Sequence, residues 1–485
     1  MKICRTPPNN RPAAPPRNTC APTPATAIRL HSVPMPALRP FILAAAALLL
    51  ANCVRYQPHP LDPPRSEQQF RTRSLSDPGL AAFLRRPDWP PAKLQLRDLY
   101  AIALYFSPDL DIARAHLRTT QAGILTANTR PNPTVSIGGG WTNAPESPLV
   151  FHFDPAMTIE TGGKRALRAL EAGKLAEAAR VDVDATAWHV LSRVRAAWID
   201  YAMALRSVDV LNNEIRARNE TIGILEKRLS VGEGARPEVE TARALLIAVQ
   251  LEARTAATSV SQAEVSLATA VGLPSLPPVD TSTLPQTLAD LPLGDVQKAG
   301  LLHRADIRRS LLEYAAEEAA LQLEIAKQRP DIQLNPGYAF DEGHHKITFG
   351  PGFEIPVFNR NRGPIAEAEA RRAEAEARFN ALQAQAIGEM ESALAAYKGT
   401  RTELNDADRT LTTLETTRTE AIGRAIAAGE EDRLSLAGVH IETAVAARAR
   451  LETERRLQGA LGALDDAVQQ PLEPGAPLPD PETKP

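Results

Sequence analysis

The candidate functional residues of this 485-residue chain are mainly charged side chains at two glycine-marked turns. The candidate site residues of the first turn are Arg228, Val231, Gly232, Glu233, Arg236 and Glu238, and those of the second are Gly429, Glu430, Glu431, Asp432 and Arg433. Carboxylates and guanidinium groups that face one another would form ion pairs, and such pairs could hold the two turns together. The alternative is that these are ordinary solvated turn residues.

Other reactive residue types are not spaced for catalysis or for metal binding. His344 and His345 are adjacent but have no further ligand at a usable spacing, which is typical of a polar loop. The segment Gly162-Gly163-Lys164 lacks the spacing of a phosphate-binding loop. We therefore expect no enzyme activity, no cofactor and no metal site. The net charge of −3 gives no reason to expect a nucleic-acid partner.

The cysteines lie at the beginning of the chain, at Cys4, Cys20 and Cys53. The apolar run 41–51 is too short to span a membrane, which needs ~20 residues, and is typical of a secretory signal. The run ends in Leu50-Ala51-Asn52-Cys53, which resembles a bacterial lipobox and predicts lipid attachment at Cys53. The alternative is an incidental cysteine after a non-lipoprotein signal. We expect residues 1–52 to be a leader and hypothesise that translation starts at Met35.

Four stretches alternate between apolar and polar residues as β-strands do, two at about 132–160 and two at about 331–357. Each has roughly the ten-residue length of a tilted transmembrane strand. A soluble sheet packed on one face would show the same alternation. Glu160 and Glu354 are assigned to the polar side, so they either face a pore lumen and favour cations or are solvated junction residues.

The predicted helices carry a heptad pattern. Apolar residues recur at alternating steps of four and three over 183–215, and again over 239–270. This spacing predicts an antiparallel coiled-coil hairpin, with a long helix at 164–231 and a return helix at 237–271. A more polar pair follows at 364–429 and 432–470. The long helices would each measure ~100 Å.

The same order of elements occurs twice. Arg130-Pro131-Asn132-Pro133 and Arg329-Pro330-Asp331-Ile332 begin matching stretches about 200 residues apart, which predicts an internal duplication. The expected domains are an extended N-terminal segment at 53–93, a first repeat at 94–292 with a collar at 272–292, a second repeat at 293–470 and a disordered tail at 471–485.

Four strands per chain are too few to close a barrel, and an unpaired strand edge in lipid is very costly. Three chains would supply twelve strands. We therefore predict a mainly α-helical chain with a small β part, which forms a trimeric 12-stranded outer-membrane β-barrel continued by a long periplasmic α-helical coiled-coil tunnel. The rival of another class is a structural coiled-coil lipoprotein without a pore.

Over about 94–470 the chain resembles the TolC-like outer-membrane efflux protein family. The resemblance lies in the doubled helix–strand–strand–helix layout, in Val231-Gly232 with Arg228 before and Ala242-Arg243 after, and in the segment 356–363 leading into an Ala/Glu/Arg-rich helix. The segments 160–165 and 358–363 are most similar to the branch paired with heavy-metal pumps of the cobalt–zinc–cadmium type.

The resemblance implies a homotrimer in the outer-membrane lipid of a Gram-negative bacterium, extending into the periplasm. Its partners would be a periplasmic adaptor protein and an inner-membrane pump of the resistance–nodulation–division (RND) class. The channel would be a passive exit duct for heavy-metal cations, with drug efflux or type I protein secretion as alternatives. The adaptor and the gate would meet the turns at 228–241 and 424–438, and the second hairpin, 364–470, is expected to move.

Overall fold

The computed structural model describes residues 55–86, 89–143, 148–285 and 292–470. The predicted leader, Cys53 and the predicted tail at 471–485 lie outside the described residues. The chain divides into a short unit, Met1–Pro63, and a main unit, Pro64–Pro485. All that follows concerns the main unit.

The main unit is mostly helical. Its helices are α1 (Pro63–Arg71), α2 (Pro78–Leu84), α3 (Leu96–Phe106), α4 (Pro108–Ala127), α5 (Lys164–Ser230), α6 (Arg236–Val271), α7 (Leu293–His303), α8 (Ala305–Ala326), α9 (Arg362–Thr412), α10 (Thr419–Ala428) and α11 (Arg433–Val468). A π-helical turn, Thr413–Arg418, joins α9 to α10. None of the described helices combines the length and the hydrophobicity that crossing a membrane would require.

The helical stretches at 96–127 and 293–326 are each broken in two. Ser107 separates α3 from α4 with an extended backbone, because the following proline disfavours the helical conformation at that residue. Arg304 separates α7 from α8 in the same way without a proline. Its buried guanidinium instead binds Asp306, Glu389 and the carbonyl oxygen of Ala467.

The strands form one antiparallel sheet in the order β1-β2-β3-β4. Their bounds are β1 (Thr134–Trp141), β2 (Leu149–Ile159), β3 (Ile332–Asp341) and β4 (His344–Phe353). Phe153 lies opposite Ile137 on β1 and Tyr338 on β3, so the apolar residues share one face. That face is not packed against a described core: Ile137 is 67% and Ile347 85% exposed. Glu160 and Glu354 each lie one residue beyond a strand rather than within it.

Helix α5 is the centre of the helical packing. Val183, Val190 and Val194 are buried along it, as the heptad spacing predicts. Trp198, one residue away from that spacing, is buried in the same cluster, which includes Leu267 of α6. Burial of a large apolar side chain stabilises the fold by about 1.5–3 kcal/mol. A second apolar cluster joins α7, α9 and α11 and contains Met390, Tyr397, Leu457 and Leu461.

Left-handed backbone conformations recur at matched places in the two halves. They occur before the long helices at Gly163 and Asn361, at the turns at Gly232 and Gly429, and after the return helices at Gly272 and Gln469. The members of each pair are about 200 residues apart.

Replacing Gly272 with alanine is expected to lower the free energy of unfolding by about 1–2 kcal/mol, because φ is +83° and the new Cβ would lie 3.1 Å from Cβ of Phe106. The matched control is Gly459→Ala, at an exposed site within α11 with open space around it. This control should raise stability by about 0.5–1 kcal/mol. Chemical denaturation followed by circular dichroism measures both, and a Gly272→Ala protein as stable as the parent would contradict the prediction.

Candidate functional site

The first turn is short and tightly hydrogen-bonded. Gly232 has φ +81°, and the backbone N–H of Glu233 donates to the carbonyl oxygen of Arg228 at 2.9 Å. Helix α6 then begins at Arg236, with the Glu238 carboxylate accepting from the N–H of Ala235 at 3.5 Å. Val231 is 69% exposed at the end of the turn. The turn therefore presents an apolar side chain among charged ones.

The second turn has a similar form. Gly429 has φ +76°, and the N–H of Glu430 donates to the carbonyl oxygen of Ala425 at 2.9 Å. Asp432 caps α11 by accepting from the N–H of Ser435 at 2.9 Å, and the Ser435 hydroxyl donates to Glu431 at 2.6 Å. The bond from the Ser435 backbone lowers the pKa of Asp432 below its ordinary value, and nearby Arg228 adds to this effect.

One ion pair joins the two turns. The Arg228 guanidinium lies 3.1 Å from Oδ2 of Asp432, and both side chains are partly exposed. Pairs of this kind contribute about 0.2–1 kcal/mol. Arg236 and Arg433 form no ion pair with any described residue of this chain. The expected contact between the turns is therefore made by Arg228 and Asp432.

Above the turns, polar contacts continue along α5 and α11. They are Glu220–His440, Glu214–Arg448, Arg206–Glu454, Asp200–Arg455, Arg195–Asp465 and the bonds from Trp188 and Ser192 to Asp466. Residue numbers rise on α5 as they fall on α11, as an antiparallel register requires. Sequence reasoning missed these residues. Pairs of opposite charge whose residue numbers have a nearly constant sum are the signal that could have found them.

The two candidate lumen carboxylates differ. Glu160 accepts two hydrogen bonds from Arg168, at 2.5 and 3.1 Å, and its side chain is only 14% exposed. Glu354 is exposed and pairs with no described residue. Glu160 therefore lies at the strand-to-helix junction with its charge compensated by Arg168, and a position in a pore lumen stays a prediction.

Lys164, in the segment that superficially suggests a phosphate-binding loop, instead connects the two halves of the chain. Its Nζ donates to Oδ1 of Asp331 at 2.7 Å, and the N–H of Thr161 donates to the same oxygen at 2.9 Å. Burial raises the pKa of Asp331, but these hydrogen bonds and the charge of Lys164 outweigh burial and lower it overall. The start of α5 is thus held against the beginning of β3.

The histidines of the β3–β4 turn form no metal centre among the described residues, where no group of three or more His, Cys, Asp or Glu side chains is placed to hold an ion. His345 Nδ1 instead lies 2.7 Å from the hydroxyl of Tyr338. His344 is exposed.

Residues 99–273 match the family described as "Outer membrane efflux protein". Nodulation protein T of Rhizobium leguminosarum bv. viciae is 23% identical over 308 residues, 61% of this chain and 61% of that protein, so the chain spans less than two thirds of this relative. Pyoverdine export outer membrane protein OpmQ of Pseudomonas putida is 25% identical over 342 residues, 64% of this chain and 72% of OpmQ.

The fold is also found in the solved structure of CusC, described in connection with transmembrane channel formation. The TM-score is 0.63 at 18% identity, over 86% of this chain and 99% of the CusC chain. The match over residues 99–273 agrees with the family resemblance expected from the sequence, and the likeness to CusC shows a shared fold. The heavy-metal branch stays a prediction.

Replacing Asp331 with asparagine is expected to lower the free energy of unfolding at pH 7 by about 1–2 kcal/mol, through loss of a charge-assisted bond. Because the pKa of Asp331 is lowered in the folded state, its contribution is present above pH ~4 and is lost as the pH falls further. Urea unfolding between pH 3 and 7 should therefore show the two proteins converging in acid. Glu354→Gln is the matched control, and a difference between parent and Asp331→Asn that is constant with pH would refute the assignment.

Proposed function

We propose that this chain, whose residues 99–273 match the outer membrane efflux protein family, is the outer-membrane channel of a tripartite efflux system. It would be the passive exit duct, coupled through a periplasmic adaptor to an inner-membrane RND-type pump. The observation that carries this proposal is a four-stranded sheet with an exposed apolar face, joined directly to two long helical hairpins.

The sheet is suited to a barrel made from several chains. Strands β1 and β4 are at its two edges, where backbone groups have no partner strand within the described chain. Such groups are very costly in lipid, and pairing β4 of one copy with β1 of the next would satisfy them. Three copies give twelve strands. The exposed apolar face would meet lipid, and the face with Asp154, Lys346 and Thr348 would line the interior.

The helices are long enough for a tunnel below such a barrel. Helix α5 has 67 residues and would measure ~100 Å, and α9, the π-helical turn and α10 form a run of similar length. Helix α6 leaves Leu245, Ile247, Leu251 and Val265 exposed, and neighbouring protomers would cover such residues. The matched left-handed residues support an internal duplication, so that a homotrimer would contain six near-equivalent units.

The two turns are the proposed adaptor-docking and gating surface. The Arg228–Asp432 pair holds them together within one chain. Arg236 and Arg433 are available for contacts with neighbouring protomers or with the adaptor. The second hairpin, α9 to α11, is the one proposed to move, since its long arm is interrupted by a π-helical turn without any buried residue.

The proposed cargo is heavy-metal cations, on the resemblance of the segments 160–165 and 358–363 to that branch. One relative, OpmQ, is named for pyoverdine export, which keeps other cargo open, and drug efflux and type I protein secretion are the alternatives. We also propose a secretory signal and a lipid at Cys53. The exposed apolar face of the sheet argues against the non-pore structural lipoprotein.

The full chain, purified in detergent, is expected to migrate as a heat-resistant trimer and to conduct ions in planar bilayers. Replacing both Arg236 and Arg433 with alanine should raise the conductance if these residues close the gate between protomers. Arg456→Ala is the matched control, because Arg456 pairs with Glu403 inside the second hairpin. A monomer that never conducts would favour the structural lipoprotein, and unchanged conductance of the double variant would remove both arginines from the gate.

A strain that lacks this chain is expected to grow less well than its parent on zinc, cobalt, cadmium or copper. Expression of the chain from a plasmid should restore growth. Tolerance equal to the parent for every metal would refute the heavy-metal cargo, while sensitivity to drugs alone would favour the alternative cargo.

A further inference from the structure

We infer that Arg448 is a positioning residue that holds the second hairpin against both helices of the first, roughly 24 Å along α11 from the cap residue Asp432. The inference rests on the proposed function for its role in gating. Arg448, its partners Glu214 and Glu252, and Arg218, which binds Glu214, are called the clasp.

The clasp lies where apolar packing between the hairpins is interrupted. A cavity of about 880 Å³ lies between α5, α6 and α11. Small side chains line much of it, among them Ala197, Ala256, Ser259, Ala263 and Ala449. Across this cavity α11 has little to pack against on α6. The ion pair between Arg448 and Glu252, which also line the cavity, connects the two helices there.

Glu214 gives the clasp its strength. Its carboxylate is on α5 and is 1% exposed. One oxygen accepts bonds from Arg218, at 2.6 and 2.9 Å. The other oxygen, Oε2, is buried, accepts no hydrogen bond and lies 3.6 Å from a guanidinium nitrogen of Arg448. Arg448 therefore compensates one carboxylate on each helix of the first hairpin.

Breaking the clasp would leave a buried charge uncompensated, whereas breaking the Arg228–Asp432 pair between the turns would not. Arg228 and Asp432 are already partly in water, where a pair contributes about 0.2–1 kcal/mol. Moving Arg448 away would leave the buried oxygen of Glu214 without a second cation, and removing one partner from a buried charge pair is strongly destabilising. The turns should therefore separate more readily than the hairpins do at the clasp, so that the clasp limits how far the second hairpin moves.

The test measures the separation of the turns with spin labels on Glu233→Cys and Glu430→Cys, in full-length trimers diluted with unlabelled chain. The same protein without the two substitutions gives the background from its own cysteines. Arg448→Gln should lengthen and broaden the distance distribution by several ångströms, and should do so more when combined with Arg228→Gln. Arg448→Lys should restore part of the parent distribution. Arg456→Gln, on the same helix, is the control and should change nothing.

A second comparison distinguishes the clasp from a merely structural arginine. Glu214→Gln removes the buried charge that Arg448 compensates, so adding Glu214→Gln to Arg448→Gln should narrow the distribution again. The inference is overturned if Arg448→Gln leaves the distances unchanged, if Arg456→Gln lengthens them equally, or if Glu214→Gln has no effect on the Arg448→Gln protein.

Bilayer conductance of the same variants separates this inference from the proposed function. Conductance of the Arg448→Gln and Arg228→Gln double variant should exceed that of either single variant. If no variant conducts but the labels separate as expected, the clasp stands and the channel function fails. If the protein conducts and the Arg448→Gln distances match the parent, the clasp fails and the channel stands.

Discussion

Helix α5 makes a different kind of contact in each part of its length, and the rest of the structure is arranged around these contacts. At its start, Lys164 binds Asp331 and holds the helix to the sheet. In its middle, Val190, Val194 and Trp198 are buried in the apolar cluster. Between Trp188 and Glu220, its contacts with α11 include a row of polar and ionic ones. One continuous helix thus connects the sheet to the turns through three kinds of contact.

Apolar contacts within a hairpin and ionic contacts between the hairpins stabilise different things: the shape of each hairpin, and the position of one hairpin relative to the other. Heptad packing within a hairpin depends on buried area, which salt affects little, and it keeps each hairpin straight. Contacts between the hairpins depend on charges, which salt screens where they are exposed. The first hairpin can therefore stay intact while its contacts with the second change, which is the property that the proposed gated duct would need.

The sequence predicts the elements better than the contacts between them. Heptads and alternating strands are local patterns, so α5, α6 and the four strands could be placed without a structure. The break at Ser107 could also have been found, because Pro108 follows it. The break at Arg304 could not, since it depends on Glu389 and Ala467, far away in the chain. The role of Arg448 could not be predicted for the same reason, since its partners Glu214 and Glu252 lie far away in the chain, on two other helices.

The matched left-handed residues differ between the two halves in a way that affects α8. Where the first half has Gly163 and Gly272, the second has Asn361 and Gln469, which adopt this conformation at a cost of about 1–2 kcal/mol each. Their side chains offset that cost. Asn361 donates to the carbonyl oxygen of Glu324, and Gln469 accepts from the N–H of Ala305. Both ends of α8 are tethered by amides that glycine could not supply, so its amide protons should exchange with solvent more slowly than those of α4.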